Sequence, residues 1–175
     1  LEDINRTMTL SPLKQADLLN DRALIHLNYR QDYEAALADF DEALTMHPGN
    51  PTTHYNRGNL YREMHKPAEA LKDYNKALTL DPTNVIALSN RGHLYADEYQ
   101  NEKEALKDYT RAIAHAPTDV WLYLVRGSYY EHALGKLQHA LADYQKAIQL
   151  EPTLHEAQSH YQYCVQTIIR DQSHL

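Results

Sequence analysis

Arg57-Gly58-Asn59-Leu60-Tyr61, followed by Ala70-Leu71-Lys72-Asp73-Tyr74-Asn75-Lys76-Ala77-Leu78-Thr79-Leu80-Asp81-Pro82, is the stretch that decides the fold. Its residues return at a near-constant interval. Pro48, Pro82, Pro117 and Pro152 are separated by 34, 35 and 35 residues. The same steps relate Asp39, Asp73, Asp108 and Asp143, each followed by an aromatic: Phe40, Tyr74, Tyr109 and Tyr144. Two alanine columns keep the register, Ala36, Ala70, Ala105 and Ala140, then Ala43, Ala77, Ala112 and Ala147. Upstream, Arg22, Arg57, Arg91 and Arg126 are spaced by 35, 34 and 35 residues. Gly58, Gly92 and Gly127 follow three of those arginines and Ala23 the fourth. Self-similarity at such a period is the mark of stacked supersecondary units.

Each unit reads as two amphipathic helices. His54, Gly58 and Tyr61 fall on one face of a 3.6-residue period, and Ala70, Leu71, Tyr74, Ala77 and Leu78 form the matching face of a second helix. Lys66-Pro67 marks the turn between them. Pro82 ends the unit, because proline lacks the N–H that would continue a helix. A helical glycine costs about 1 kcal/mol relative to alanine, so the glycine column implies close approach of the paired helices. Neither helix buries its face alone, so the units must stack into an all-α solenoid. The expected order is a remnant second helix over 1–14, repeats over 16–50, 51–84, 85–119 and 120–154, and a capping helix over 155–171. The remnant rests on Asp3 to Pro12 matching Asp73 to Pro82 at five positions in ten. A chain cut from a longer array would carry no information on localisation in its missing signal peptide; a cytoplasmic setting is only the default.

The chain of 175 residues carries 17 Lys+Arg against 24 Asp+Glu, a formal charge of -7. That balance argues against non-specific nucleic-acid binding, which draws on cations that neutralise phosphates. No apolar run reaches the roughly 18–20 residues of a membrane span. The lone Cys164 excludes an internal disulfide, and its place on an apolar helical face reads as packing. His155 and His160, five residues apart on one helix, diverge in direction, and no other histidine pair has helical ligand spacing. No phosphate loop or nucleophile motif is present. The expectation is therefore no enzyme, no cofactor and no metal. The arginine column beside the aspartate column predicts structural ion pairs, within or between repeats, rather than a basic ladder.

The columns Arg57-Gly58-Asn59-Leu60-Tyr61 with Ala70, Tyr74, Ala77 and Pro82, and their counterparts from Arg91 and Arg126, resemble the tetratricopeptide repeat. The resemblance covers about four-fifths of the chain. It implies a right-handed solenoid whose first helices line a concave groove that receives a protein or peptide. Applied residue by residue, it directs Tyr55, Asn56, Asn59, Arg62, Asn90, His93, Trp121, Leu124, Val125 and Ser128 to that groove. Stacked amides at Asn56, Asn59 and Asn90 suit an extended backbone, because an amide both donates and accepts. In the apolar run Val120 to Val125, Tyr123 is expected in the core and Trp121, Leu124 and Val125 toward the groove.

Some relatives of the repeat clamp chaperone C-terminal carboxylates with lysine, asparagine and arginine. Here the cation places hold Tyr55, Trp121 and Val125, or Asn20, Ile86 and Asn90, which argues against that role. The reading is a non-catalytic interaction scaffold for an extended peptide or partner helix. The alternatives are the substrate-recruiting arm of a larger enzyme, such as a glycosyltransferase, and a self-associating structural module.

Overall fold

The computed structural model describes residues 11–173, which hold nine α-helices and no strand. In chain order these are α1 (Pro12–Ile25), α2 (Tyr33–Met46), α3 (Pro51–Glu63), α4 (Pro67–Leu80), α5 (Val85–Asp97), α6 (Glu102–His115), α7 (Val120–Ser128), α8 (Leu137–Leu150) and α9 (His155–Gln172). They fall into two compact units, one ending at Leu94 and the other beginning at Tyr95. In the first unit α1 packs on α2 and α3 on α4; in the second, α7 packs on α8 and α9 closes on α8. Residues 1–10 of the expected remnant lie outside the described residues. Pro12 departs from the expected turn: it is the first residue of α1, so 12–14 belong to that helix.

The helix boundaries arise from local chemistry that repeats with the sequence. Asn50 Oδ1 caps α3 by accepting from Thr52 and Thr53, Asn84 Oδ1 accepts from Ala87, and Asp119 Oδ1 accepts from Trp121. Such caps satisfy amides that the first helical turn leaves without partners. Where the first helix of each pair gives way to the second, one residue takes the left-handed conformation. These are Gln31 (φ 53°), His65 (φ 56°), Gln100 (φ 48°) and Gly135 (φ 61°).

The two repeat lengths have a structural origin at that turn. In the 34-residue unit, the Lys66 amide closes five residues back on Tyr61 O at 2.8 Å. In the others Asp32, Asn101 and Lys136 close six residues back, on His26, Tyr95 and Tyr130. All four acceptors lie four residues after the column arginine, so the additional residue sits between that point and the turn. In two units it opens a π-helical turn, His26–Arg30 after α1 and Tyr129–Ala133 after α7. A π-turn absorbs one inserted residue without displacing the second helix of the pair.

The core is the predicted set of columns. Ala36, Phe40, Ala70, Tyr74, Ala105, Tyr109, Ala140 and Tyr144 are all buried. A Cβ on Gly58 would meet Tyr74 Cε1 at 2.8 Å, and one on Gly127 would meet Tyr144 Cε1 at 2.9 Å. The glycine column thus admits the aromatic ring of the partner helix. Cys164 is fully buried, and burial pushes its thiol up to about 11. It is a packing residue.

Candidate functional site

The arginine column builds the frame that holds the first helices. Arg57 is bidentate on Asp73, Nε to Oδ2 at 2.7 Å and Nη2 to Oδ1 at 2.8 Å. Arg22 grips Asp39 and Arg126 grips Asp143 in the same way. The third guanidinium nitrogen reaches the second helix of the preceding pair: Arg57 Nη1 to Asp41, Arg91 Nη1 to Asn75 and Arg126 Nη1 to Thr110. Arg57 and Arg126 therefore each tie three helices, as only a planar fork of donors can. Burial raises the Asp73 carboxyl, but Arg57 and then His54 outweigh it and hold it below its ordinary value. The column is structural, as its pairing with aspartate predicts.

Between these ties, the first unit presents a row of amides. Asn56 Nδ2 donates to Asn20 Oδ1 at 3.0 Å, and Asn90 Nδ2 donates to Asn59 Oδ1 at 2.8 Å. The buried Tyr74 hydroxyl donates to the same Asn59 oxygen at 2.7 Å. Burial pushes the Tyr74 phenol up to about 12, so it stays a donor at neutral pH. Among the described residues, these bonds leave Asn56 Oδ1 and Asn59 Nδ2 without protein partners. Both residues line a cleft of about 430 Å³ with Leu24, Leu27, Tyr33, Arg62 and Glu63. Arg62 Nη2 lies 3.7 Å from Glu63. The cleft is thus lined by two amides one helical turn apart, each with one polar atom uncommitted, beside Asn28 and Gln31 and the side chains of Leu24 and Leu27. Tyr55 instead packs against the cluster of Ala70, Tyr74 and Leu94, and His93 is half-buried.

In the second unit the expected apolar face divides differently. Trp121 is 56% exposed at the start of α7, and Val125 is half-buried. Leu124 is a correction: it is buried with Val120, Tyr123, Ala140, Tyr144 and Cys164. The helix packs on both α6 and α8, so it buries more than the single face assumed for it. Ser128 is exposed, and His132 Nδ1 donates to its carbonyl oxygen at 3.1 Å.

One group of residues is invisible to the sequence patterns. Glu131 and His132, in the π-turn after α7, meet His160 on α9. Glu131 is buried and accepts from Tyr144 Oη at 2.6 Å and from His160 Nδ1 at 3.0 Å. A test of histidine spacing along one helix is blind to a pair on two elements. The one available signal is the additional residue of the fourth unit, which sets Glu131 and His132 in a π-turn.

Three family models match the chain: "TPR repeat" over residues 26–65 and "Tetratricopeptide repeat" over 51–84 and again over 122–154. No curated protein sequence matches it. Among solved structures, a MamA protein superposes with a TM-score of 0.76 at 22% identity, over 90% of this chain and 85% of that one. Pseudomonas aeruginosa PilF gives 0.78 at 19% identity, over 90% and 70%. The first TPR of Spaghetti (RPAP3), bound to the HSP90 peptide SRMEEVD, gives 0.60 at 28% identity, over 68% and 95%. The matched repeats together span more than half of the sequence, and their register is that of the paired helices, with the glycine and aromatic columns in contact. The chain belongs to the tetratricopeptide repeat family.

Proposed function

We propose that the chain is a non-catalytic interaction module whose first-unit cleft binds an extended peptide. The observation that carries this reading is that Asn56 and Asn59 line the cleft while Asn56 Oδ1 and Asn59 Nδ2 have no protein partner among the described residues. An extended backbone offers free N–H and C=O groups at alternating positions, which such a pair satisfies. A helix has already spent those groups on itself, so the extended form is favoured over a partner helix. The lateral bonds from Asn90 and Tyr74 hold the Asn59 amide plane before any ligand arrives, which limits the ordering cost of binding. The Spaghetti domain, with its bound peptide, gives this reading a precedent within the fold.

Trp121 is a separate point of contact on the second unit, because a large exposed aromatic is a favoured interface anchor. The test is selection from a random-sequence peptide library, followed by fluorescence anisotropy with the selected peptide. A net hydrogen bond is worth about 0.5–1.5 kcal/mol, so Asn59→Ala is expected to weaken binding by up to about tenfold. The exposed Lys72→Ala, on α4, is expected to leave it unchanged. Equal affinities for wild type, Asn56→Ala and Asn59→Ala would remove the cleft from the reading.

A further inference from the structure

We propose that Glu131, His132 and His160 bind one divalent cation of the zinc class, stapling α9 to the π-turn that succeeds α7. One ligand atom from each residue lies within 4.8 Å of the other two. His132 Nε2 is 3.6 Å from Glu131 Oε1, and His160 Nδ1 is 3.0 Å from Glu131 Oε2. Ligand atoms about 2.0–2.2 Å from a tetrahedral zinc stand roughly 3.3–3.6 Å apart; the two histidines reach opposite oxygens of the Glu131 carboxylate, so a common set within the 4.8 Å cluster needs a modest contraction. The remaining gap closes by rotation of His132, whose side chain is 60% exposed.

The surroundings orient these ligands. Tyr144 Oη donates to Glu131 and fixes its carboxylate plane. The His132 Nδ1–H is held by the Ser128 carbonyl, which leaves Nε2 as the nitrogen with a lone pair. Such a backbone or hydroxyl partner on the far side of a ligand is characteristic of metal sites. The His160 ring is stacked on Tyr144 at 5.2 Å and set edge-on to His132 at 5.7 Å. A simple ion pair accounts for Glu131 with His160. It does not account for His132, an exposed imidazole whose free nitrogen turns to the same carboxylate.

Two imidazoles and one carboxylate suit zinc, whereas calcium and magnesium require mostly oxygen ligands. The ion takes the place of the proton now held between His160 and Glu131. Its fourth position opens on a cleft of about 560 Å³ that Leu137, Ser159 and Tyr163 also line. Water or a partner's side chain completes the coordination there. This site is independent of the peptide cleft in the other unit.

The test is calorimetric titration of the metal-free chain with zinc chloride, alongside thermal melts. One saturable site per chain is expected, together with a higher melting temperature in zinc. His132→Ala, chosen because that side chain is exposed, and His160→Ala are each expected to lower zinc affinity by about tenfold or more. His155→Ala, an exposed histidine on the same helix as His160, is expected to leave affinity and the zinc-induced melting shift unchanged. Calcium and magnesium chloride are expected to give no saturable heat. No saturable zinc binding, or equal zinc affinity in wild type, His132→Ala and His160→Ala, would overturn the assignment.

Discussion

At the scale of the residue, the glycine column is the most exacting feature of the chain. Replacing a helical glycine by alanine ordinarily gains about 1 kcal/mol. At Gly58 the added methyl would lie 2.8 Å from Tyr74 Cε1 and 2.9 Å from Cδ1. That ring is fully buried, and its hydroxyl is tied to Asn59, so it has nowhere to retreat. Overpacking a core of this kind costs about 1–3 kcal/mol. Gly58→Ala is therefore expected to destabilise the fold by up to about 2 kcal/mol net, and to lower the melting temperature by up to several degrees. Gly49, with nothing within 4 Å of an added Cβ, is the control, and its alanine variant is expected to melt like wild type. The two melts separate a steric role from a general preference for flexible glycine.

At the scale of the element, the unequal repeat lengths become a prediction. The 34-residue unit shows that the turn closes without the additional residue, through the Lys66 to Tyr61 bond. Tyr29, in the π-turn after α1, is 84% exposed. Deleting Tyr29 converts the first unit to the shorter geometry and is expected to leave helical circular dichroism and cooperative melting intact. Broad, non-cooperative melting would show that the π-turn is needed by the packing of α1 on α2. The element scale also separates what the sequence discloses from what it conceals. Helix pairs, core columns and arginine ties are legible because they recur, and recurrence averages out local ambiguity. The π-turns are foreshadowed only as a phase slip, since the arginines step 35, 34 and 35 while the aspartates step 34, 35 and 35. How the backbone absorbs that slip is a matter of hydrogen-bond geometry. The burial of Leu124 escapes the sequence because the number of neighbours around α7 is a tertiary quantity. Glu131, His132 and His160 have no periodic counterpart, because α9 is the one closing helix of the described residues and makes contacts no internal pair repeats.

At the scale of the molecule, the question is which partners its surface admits. SRMEEVD, held by the Spaghetti domain, brings three acidic side chains and a terminal carboxylate to a chain whose formal charge here is -7. In the first unit the places at which relatives clamp such a tail hold Asn20, Ile86 and Asn90. Asn20 and Asn90 are engaged by the amide row, and Ile86 is an exposed hydrocarbon. Arg22 and Arg57 are already committed to buried aspartates. Arg62 lines the cleft as a cation, but Glu63 beside it offsets its field. SRMEEVD is therefore expected to give no saturable heat in calorimetry, even at low ionic strength, where long-range attraction is least screened. A neutral extended peptide selected on the cleft is expected to bind with little change between low salt and about 0.15 M, since its affinity comes from amide pairing and apolar contact. Saturable binding of SRMEEVD that is lost in Arg62→Ala would relocate recognition from the amide row to that arginine, and the cleft would be a carboxylate site after all.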